Sequence, residues 1–219
     1  MSDLEPAAIT EQVATAAEQG KDLQALVRDI TLRALSRRAL SMSEIMEVVR
    51  AVTEGVTLGL GRRAGEIKDA VREALGGLDD ALKKTAEATK QAGQQLVAQG
   101  KDFGAQDLKP AIDELKQMEE MFLNTITKVT EAAGGRIKEE FASQLSHARL
   151  SGTDSGRMIA DTVADFSQRA GAAILTGTQQ TASATHEIKQ RLTLLASGIL
   201  AGMADALHEK AKPGEQKAP

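Results

Sequence analysis

Chemistry in this chain would have to come from very few groups. Its 219 residues hold three histidines and no cysteine, which excludes thiol nucleophiles, disulfides, iron–sulfur ligation and cysteine zinc sites together. His147 and His186 stand alone on separate stretches, and Asp205-x-x-His208 is the one pair with metal-ligand spacing. A di-iron bundle needs Glu-x-x-His on two helices and two further glutamates, so a single Asp-x-x-His falls short. The adjacent acids Glu119-Glu120 and Glu139-Glu140 would leave a helix in different directions, because only residues three or four apart share a face. The run from Gly55 to Gly65, GVTLGLGRRAG, has the glycine density of a phosphate loop. It lacks the Lys-Ser/Thr pair and follows a helical stretch, not a strand. The reading is of a chain with no catalytic, cofactor-binding or metal-binding residue and no cofactor, hence not an enzyme. The glycine pairs Gly55/Gly59, Gly61/Gly65 and Gly198/Gly202 have the small-xxx-small spacing that lets helix backbones pack closely.

The elements around these residues are helical. Alanine makes up 36 of the 219 residues, there is no Trp or Tyr, and only four Phe occur, so large aromatic anchors for a core are scarce. Breaks fall at a few places. Ser41 with Glu44, or Ser43, has N-cap character. Gly104, Asp107 and Pro110 mark a helix stop and restart, and Gly152 followed by Thr153 or Asp154 marks another. These signals predict helices near 8–39, 43–103, 110–150 and 155–210, with a split of the first at Gly20-Lys21 and bends at Gly76-Gly77 and Gly134-Gly135. Residues 8–210 form one helical domain, between a disordered N-terminus, 1–7, and a disordered tail, 211–219.

Inside these stretches apolar residues recur every eleven positions. Ile45, Val56, Ile67 and Leu78 form one row, Val49, Leu60, Val71 and Leu82 a second, and Val52 opens a third. Phe166, Ile188 and Ile199 repeat the pattern, with Leu192 in a neighbouring row. Eleven residues in three turns give about 3.67 per turn, so such a stripe runs nearly straight. The fold class expected is all-α: long amphipathic helices with hendecad periodicity, in an elongated bundle or coiled coil. A continuous helix from Ser43 to Phe103 would span about 90 Å. On the polar faces, Asp79 with Lys83, Asp80 with Lys84, Asp165 with Arg169 and Glu187 with Arg191 read as solvated i,i+4 pairs.

Charge excludes one class of partner. The net charge is −4, and no basic stripe of the kind nucleic-acid binding needs is present. The cluster Arg33, Arg37 and Arg38 reads as a helix C-terminus favoured by the dipole. The greasiest run, Leu192 to Ala204, is thirteen residues, too short to span a bilayer, which takes about 20. No transmembrane segment is expected, and the chain reads as cytoplasmic. Leu192, Leu195, Ile199 and Met203 in that run are the candidates for contact with a lipid or polymer surface.

The segment DLKPAIDELKQMEEMFLNTITKV, Asp107 to Val129, followed by GGRIKEEF, resembles an uncharacterised family of all-helical proteobacterial proteins. In style the alanine-rich, cysteine-free chain is similar to phasins, which coat polyester granules, and its eleven-residue period to apolipoprotein surface helices. The functional expectation is a non-enzymatic helical scaffold or protein-interaction protein, a homo-oligomer associating through its apolar stripes. The alternative is a phasin-like amphipathic coat on a lipid or polyester granule surface.

Overall fold

Three of the four expected helices, those near 8–39, 43–103 and 110–150, are broken within the described residues. The computed structural model describes residues 5–20, 22–36, 41–63, 65, 67–98, 105–175 and 182–211, leaving aside the side chains of 97, 105–111, 169–175, 182–189 and 207–211. The helices are α1 (Pro6–Gln19), α2 (Leu23–Ser36), α3 (Met42–Arg62), α4 (Lys68–Ala98), α5 (Ala105–Glu131), α6 (Gly135–Ser151), α7 (Asp154–Leu175) and α8 (Ala182–Ala211). The fold is all-α, with no strand among the described residues.

The breaks have local causes. Gly20 at φ 68° and Asp22 at φ 47° put two left-handed residues between α1 and α2, and the Gly20 amide closes α1 on the Ala16 carbonyl at 3.0 Å. The stretch 43–103 is not one helix, and it breaks away from Gly76-Gly77. Arg63 turns extended, φ −83° and ψ 131°, and Gly65 sits at φ 113°, a conformation open to glycine. Gly77 stays inside α4 because α2 lies on it: a Cβ there would meet Val27 Cβ at 3.0 Å and the Gln24 carbonyl oxygen closer still. Among the described residues the longest helix is α4, 31 residues or about 46 Å, and the continuous 90 Å helix from Ser43 to Phe103 does not occur. The expected bend at Gly134-Gly135 is a full turn, with Gly135 at φ 54°. Helix α5 is already helical at Ala105, so Pro110 lies beyond its first turn, giving up one i→i−4 bond. At the N-terminus, Pro6 opens α1, where its missing donor costs nothing; residues 6 and 7 are helical, and 1–4 lie outside the described residues. Ala211 is the last residue of α8; the rest of the expected tail, Phe103, Arg37 and Arg38 also lie outside the described residues.

Packing follows a repeated up-and-down path. Thr10 Oγ1 donates to the Ala51 carbonyl at 3.0 Å, while Gly55 faces Thr10 and Val13, and Gly59 faces Ala14 and Ala17. Numbers rise together on both helices, so α1 and α3 run parallel. Gln24 and Val27 against Gly77, with Gln24 Nε2 donating to Asp80 at 2.9 Å, place α2 beside α4. Only residues 37–41 join α2 to α3, a reach of about 20 Å, so α2 must double back along α1. Helix α7 runs parallel to α4, with Ser155 at Asp79 and Phe166 over Gly93. Helix α6 runs back along α5, since Arg149 donates to Asn124 and Thr127 and Thr153 beyond it reaches Glu119. α8 packs on α4, α2 and α5.

The eleven-residue row Ile45, Val56, Ile67, Leu78 crosses the α3–α4 turn, so it is not one continuous stripe on one helix. Its members are nevertheless buried, as are Val49, Val52, Leu60, Val71, Leu82, Phe166 and Leu192. Each short helix has its own inward face, and the turns bring those faces together. Leu78 is 1% exposed. Leu78→Asp is expected to cost about 4 kcal/mol or more, for an unpaired charge in an apolar site, which in a chain of this size lowers Tm by about 8–16 °C. A thermal melt followed by circular dichroism checks it; an unchanged Tm would mean that α4 does not face the core at this turn.

Candidate functional site

The densest polar cluster lies where α7 begins. Thr153 caps the helix, its Oγ1 accepting from the Gly156 amide at 2.8 Å, the side-chain capping that orphan first-turn amides need. Two carboxylates from other helices complete the end. Asp79 on α4 accepts from the Asp154 amide at 3.0 Å, the Ser155 amide at 3.1 Å and the Ser155 hydroxyl at 2.5 Å. Glu119 on α5 accepts from Thr153 Oγ1 at 2.6 Å and from its amide at 3.3 Å. Anions at a helix N-terminus meet both free donors and the positive end of the dipole. Here they are supplied by the protein itself, so the cluster clasps α7 to α4 and α5.

This corrects two of the expected solvated pairs. Asp79 turns to α7 and not to Lys83, whose ammonium stands 3.6 Å from Asp154. Asp80 accepts from Gln24, and Lys84 pairs with Glu87 at 2.7 Å. A helix surface offers i,i+4 partners only while nothing better packs on it, and here α7 and α2 do. Asp165 has a partner, while the side chains of Arg169 and Glu187 lie outside the described residues.

The other candidates disperse. His147 is exposed on α6, and the side chains of His186 and His208 lie outside the described residues. Glu119 points to Thr153 while Glu120 is exposed. Among the described residues no group of three His, Asp or Glu is arranged to hold a metal ion. Of the phosphate-loop-like glycines, Gly55 and Gly59 receive α1, Gly61 has only Ile137 near, at 4.0 Å, and Gly65 makes the turn. Among the three small-xxx-small pairs, Gly55/Gly59 is thus packed. Gly198 and Gly202 have open space where a Cβ would stand, with no heavy atom of the described residues within 4 Å.

The apolar residues foreseen as a binding face divide as well. Leu192 is in the core, Leu195 and Ile199 lean half-buried on it, and Met203 is half-buried; the Ile188 side chain lies outside the described residues. What the fold leaves outside is different. Leu194 on α8 is 72% exposed. Between α3 and α5, an open groove of about 910 Å³ is lined by Met46, Leu58, Met121, Val129 and Ile137, with Arg50, Glu54 and Lys128 beside them. Leu58 and Met121 are 42% and 37% exposed. Neither the clasp nor the groove is foreseeable from spacing, because their parts come from helices far apart in the chain. Among the described residues no helix is long and apolar enough to cross a membrane.

With that geometry the chain belongs to a family of unknown function, DUF6781, and the match runs over residues 2–209. No curated protein and no solved structure matches it.

Proposed function

We propose that this member of DUF6781 is a non-enzymatic helical scaffold, cytoplasmic, that acts by associating with itself and by offering helix faces to a protein partner. The observation that carries this reading is the division of its apolar residues. The stripes at Ile45 to Leu82 are used up inside the bundle, while Leu58, Met121 and Leu194 remain outside on uncovered helix faces. The inward carboxylates support a structural role too: both oxygens of Asp79 and one of Glu119 accept from α7 or the residue before it. Sedimentation velocity from low micromolar to hundreds of micromolar tests the reading. A monomer–dimer equilibrium is expected, and a strict monomer across that range overturns the self-associating scaffold.

A second reading is a phasin-like or apolipoprotein-like coat on a lipid or polyester surface. It is favoured by one observation: the apolar faces that would meet a surface are already sorted inward on separate amphipathic helices. Such a coat would open its bundle on binding, as amphipathic helices trade one apolar partner for another. Co-sedimentation with anionic vesicles or polyester granules, together with loss of the cooperative melt, is the outcome that selects it.

A further inference from the structure

We propose that the outer face of α8 pairs with the same face of a second copy of this chain, antiparallel, about a two-fold axis at Gly198; this rests on the self-association reading above. At about 100° per residue, the side of α8 turned away from the bundle is centred on Gly198, with Arg191, Leu194, Leu195, Ala201, Gly202 and Asp205 within about 60° of it. Arg191, Leu194, Gly198, Gly202 and Asp205 are exposed, and Leu195 and Ala201 half-exposed. Between Arg191 and Asp205 the helix carries no charge.

The identities at matching distances from Gly198 complement one another. A two-fold axis brings each residue opposite the one equally far on the other side. Four positions out, Leu194, the protruding side chain, meets Gly202 of the other copy, where a Cβ would stand in open space among the described residues. Three positions out, Leu195 meets Ala201. Seven positions out, Arg191 meets Asp205, a cation opposite an anion at both ends of the contact. Arg191 is already engaged within its own chain, and a guanidinium with five donors can hold a second acceptor. A parallel pairing would set Arg191 against Arg191 and Asp205 against Asp205, so charge selects the antiparallel arrangement. Within the chain, the same glycine spacing at Gly55/Gly59 already seats α1 through Ala14 and Ala17. An isologous contact of this kind is self-limiting at two copies. One helix pair buries less than a standard interface, which places the dimer in the weak, reversible class.

The chain's lack of cysteine gives a direct test. In the full-length protein, Gly198→Cys places two thiols across the axis, and a disulfide forms when Cα atoms come within about 4.4–6.8 Å. Without reductant it should cross-link to dimer well ahead of a control Ala142→Cys on the exposed side of α6. In sedimentation equilibrium, Arg191→Asp should raise the dimer Kd by about tenfold or more, and adding Asp205→Arg in the same chain should restore it to within about threefold, as pairs that attract across an interface do. Leu194→Glu, at a site exposed in the monomer, should abolish the dimer while leaving Tm unchanged, which covers the case in which Arg191→Asp disturbs folding.

Equal cross-linking of the Gly198→Cys variant and the Ala142→Cys control, or no rescue by the charge swap, overturns the proposal. Should the wild-type chain dimerise with a Kd that Leu194→Glu does not move, self-association stands and this face is the wrong one. A wild-type monomer at all concentrations overturns both. Vesicle binding by a monomeric chain that Leu194→Glu removes assigns the face to lipid and likewise overturns the dimer.

Discussion

Gly59→Leu is expected to destabilise the protein by about 3 kcal/mol or more, the cost of overpacking a filled contact, and to lower Tm by about 6–12 °C. A Cβ at Gly59 would stand 2.7 Å from Ala17 Cβ and closer still to the Ala14 carbonyl oxygen. Backbone oxygen cannot rotate aside as a side chain does, so α1 must move off α3. Moving it breaks the Thr10 hydroxyl bond to the Ala51 carbonyl and loosens Ile9, Val13 and Ala17, all fully buried. Gly59→Ala should also destabilise, even though alanine is the better helix former by about 1 kcal/mol. Gly61→Ala, two positions on in the same helix, supplies the control. Its Cβ would have only Ile137 Cδ1 near, at 4.0 Å, so the propensity gain should appear alone, as about 0.5–1 kcal/mol of stabilisation. Chemical denaturation of the three variants reads the signs. Stabilisation by Gly59→Ala equal to that of Gly61→Ala would show that α1 does not sit where the close approach puts it.

This contrast also marks how far the sequence can be read. Helix content is legible because alanine, leucine and charged residues with long side chains fill the chain; of the stripe residues, those from Ile45 to Leu82, Phe166 and Leu192 are buried and Ile199 is half-buried. The lengths are harder to read. Eleven-residue rows continue across Arg63 to Ile67 as if no turn were there, and a row that happens to stay in step on both sides of a turn conceals it. The signal that could locate the turn is Gly65, whose φ of 113° suits it to a reversal better than Gly76 or Gly77, yet in sequence all three look alike. Among glycines the deciding quantity is what lies opposite, and for Gly77 that is α2, about 50 residues earlier. The caps show the same split. Ser41 holds the Glu44 amide at 3.4 Å and donates to its carboxylate at 3.0 Å, a local arrangement visible in four letters. Thr153 is equally visible as a cap. Asp79, which serves the same helix end from another helix, carries no mark in the sequence that separates it from Asp80.

Asp79→Ala is the second large effect, expected at about 3 kcal/mol and a fall in Tm of about 6–12 °C. Three donors lose their acceptor at once: two first-turn amides of α7 and the hydroxyl of Ser155, which is 0% exposed. A buried donor left without a partner costs about 1–3 kcal/mol, and water can reach this half-buried end only in part, which keeps the total below the sum of three such losses. Asp79→Asn retains one carbonyl oxygen and loses the charge that favours a helix N-terminus, so about half the effect should remain. Lys83→Ala removes an exposed 3.6 Å ion pair to Asp154 and should change stability by under about 0.5 kcal/mol. Hydrogen exchange localises the damage: amides in the first turns of α7 should lose protection first, while α1 and α3, which do not touch the clasp, keep theirs. If the melt and the exchange of Asp79→Ala match wild type, α7 is held by apolar contacts such as Phe166 on Gly93 and the clasp only sets its register. If α7 loosens as expected, the polar end is what fixes it to α4, and any function that needs the bundle to open has its release point at Asp79.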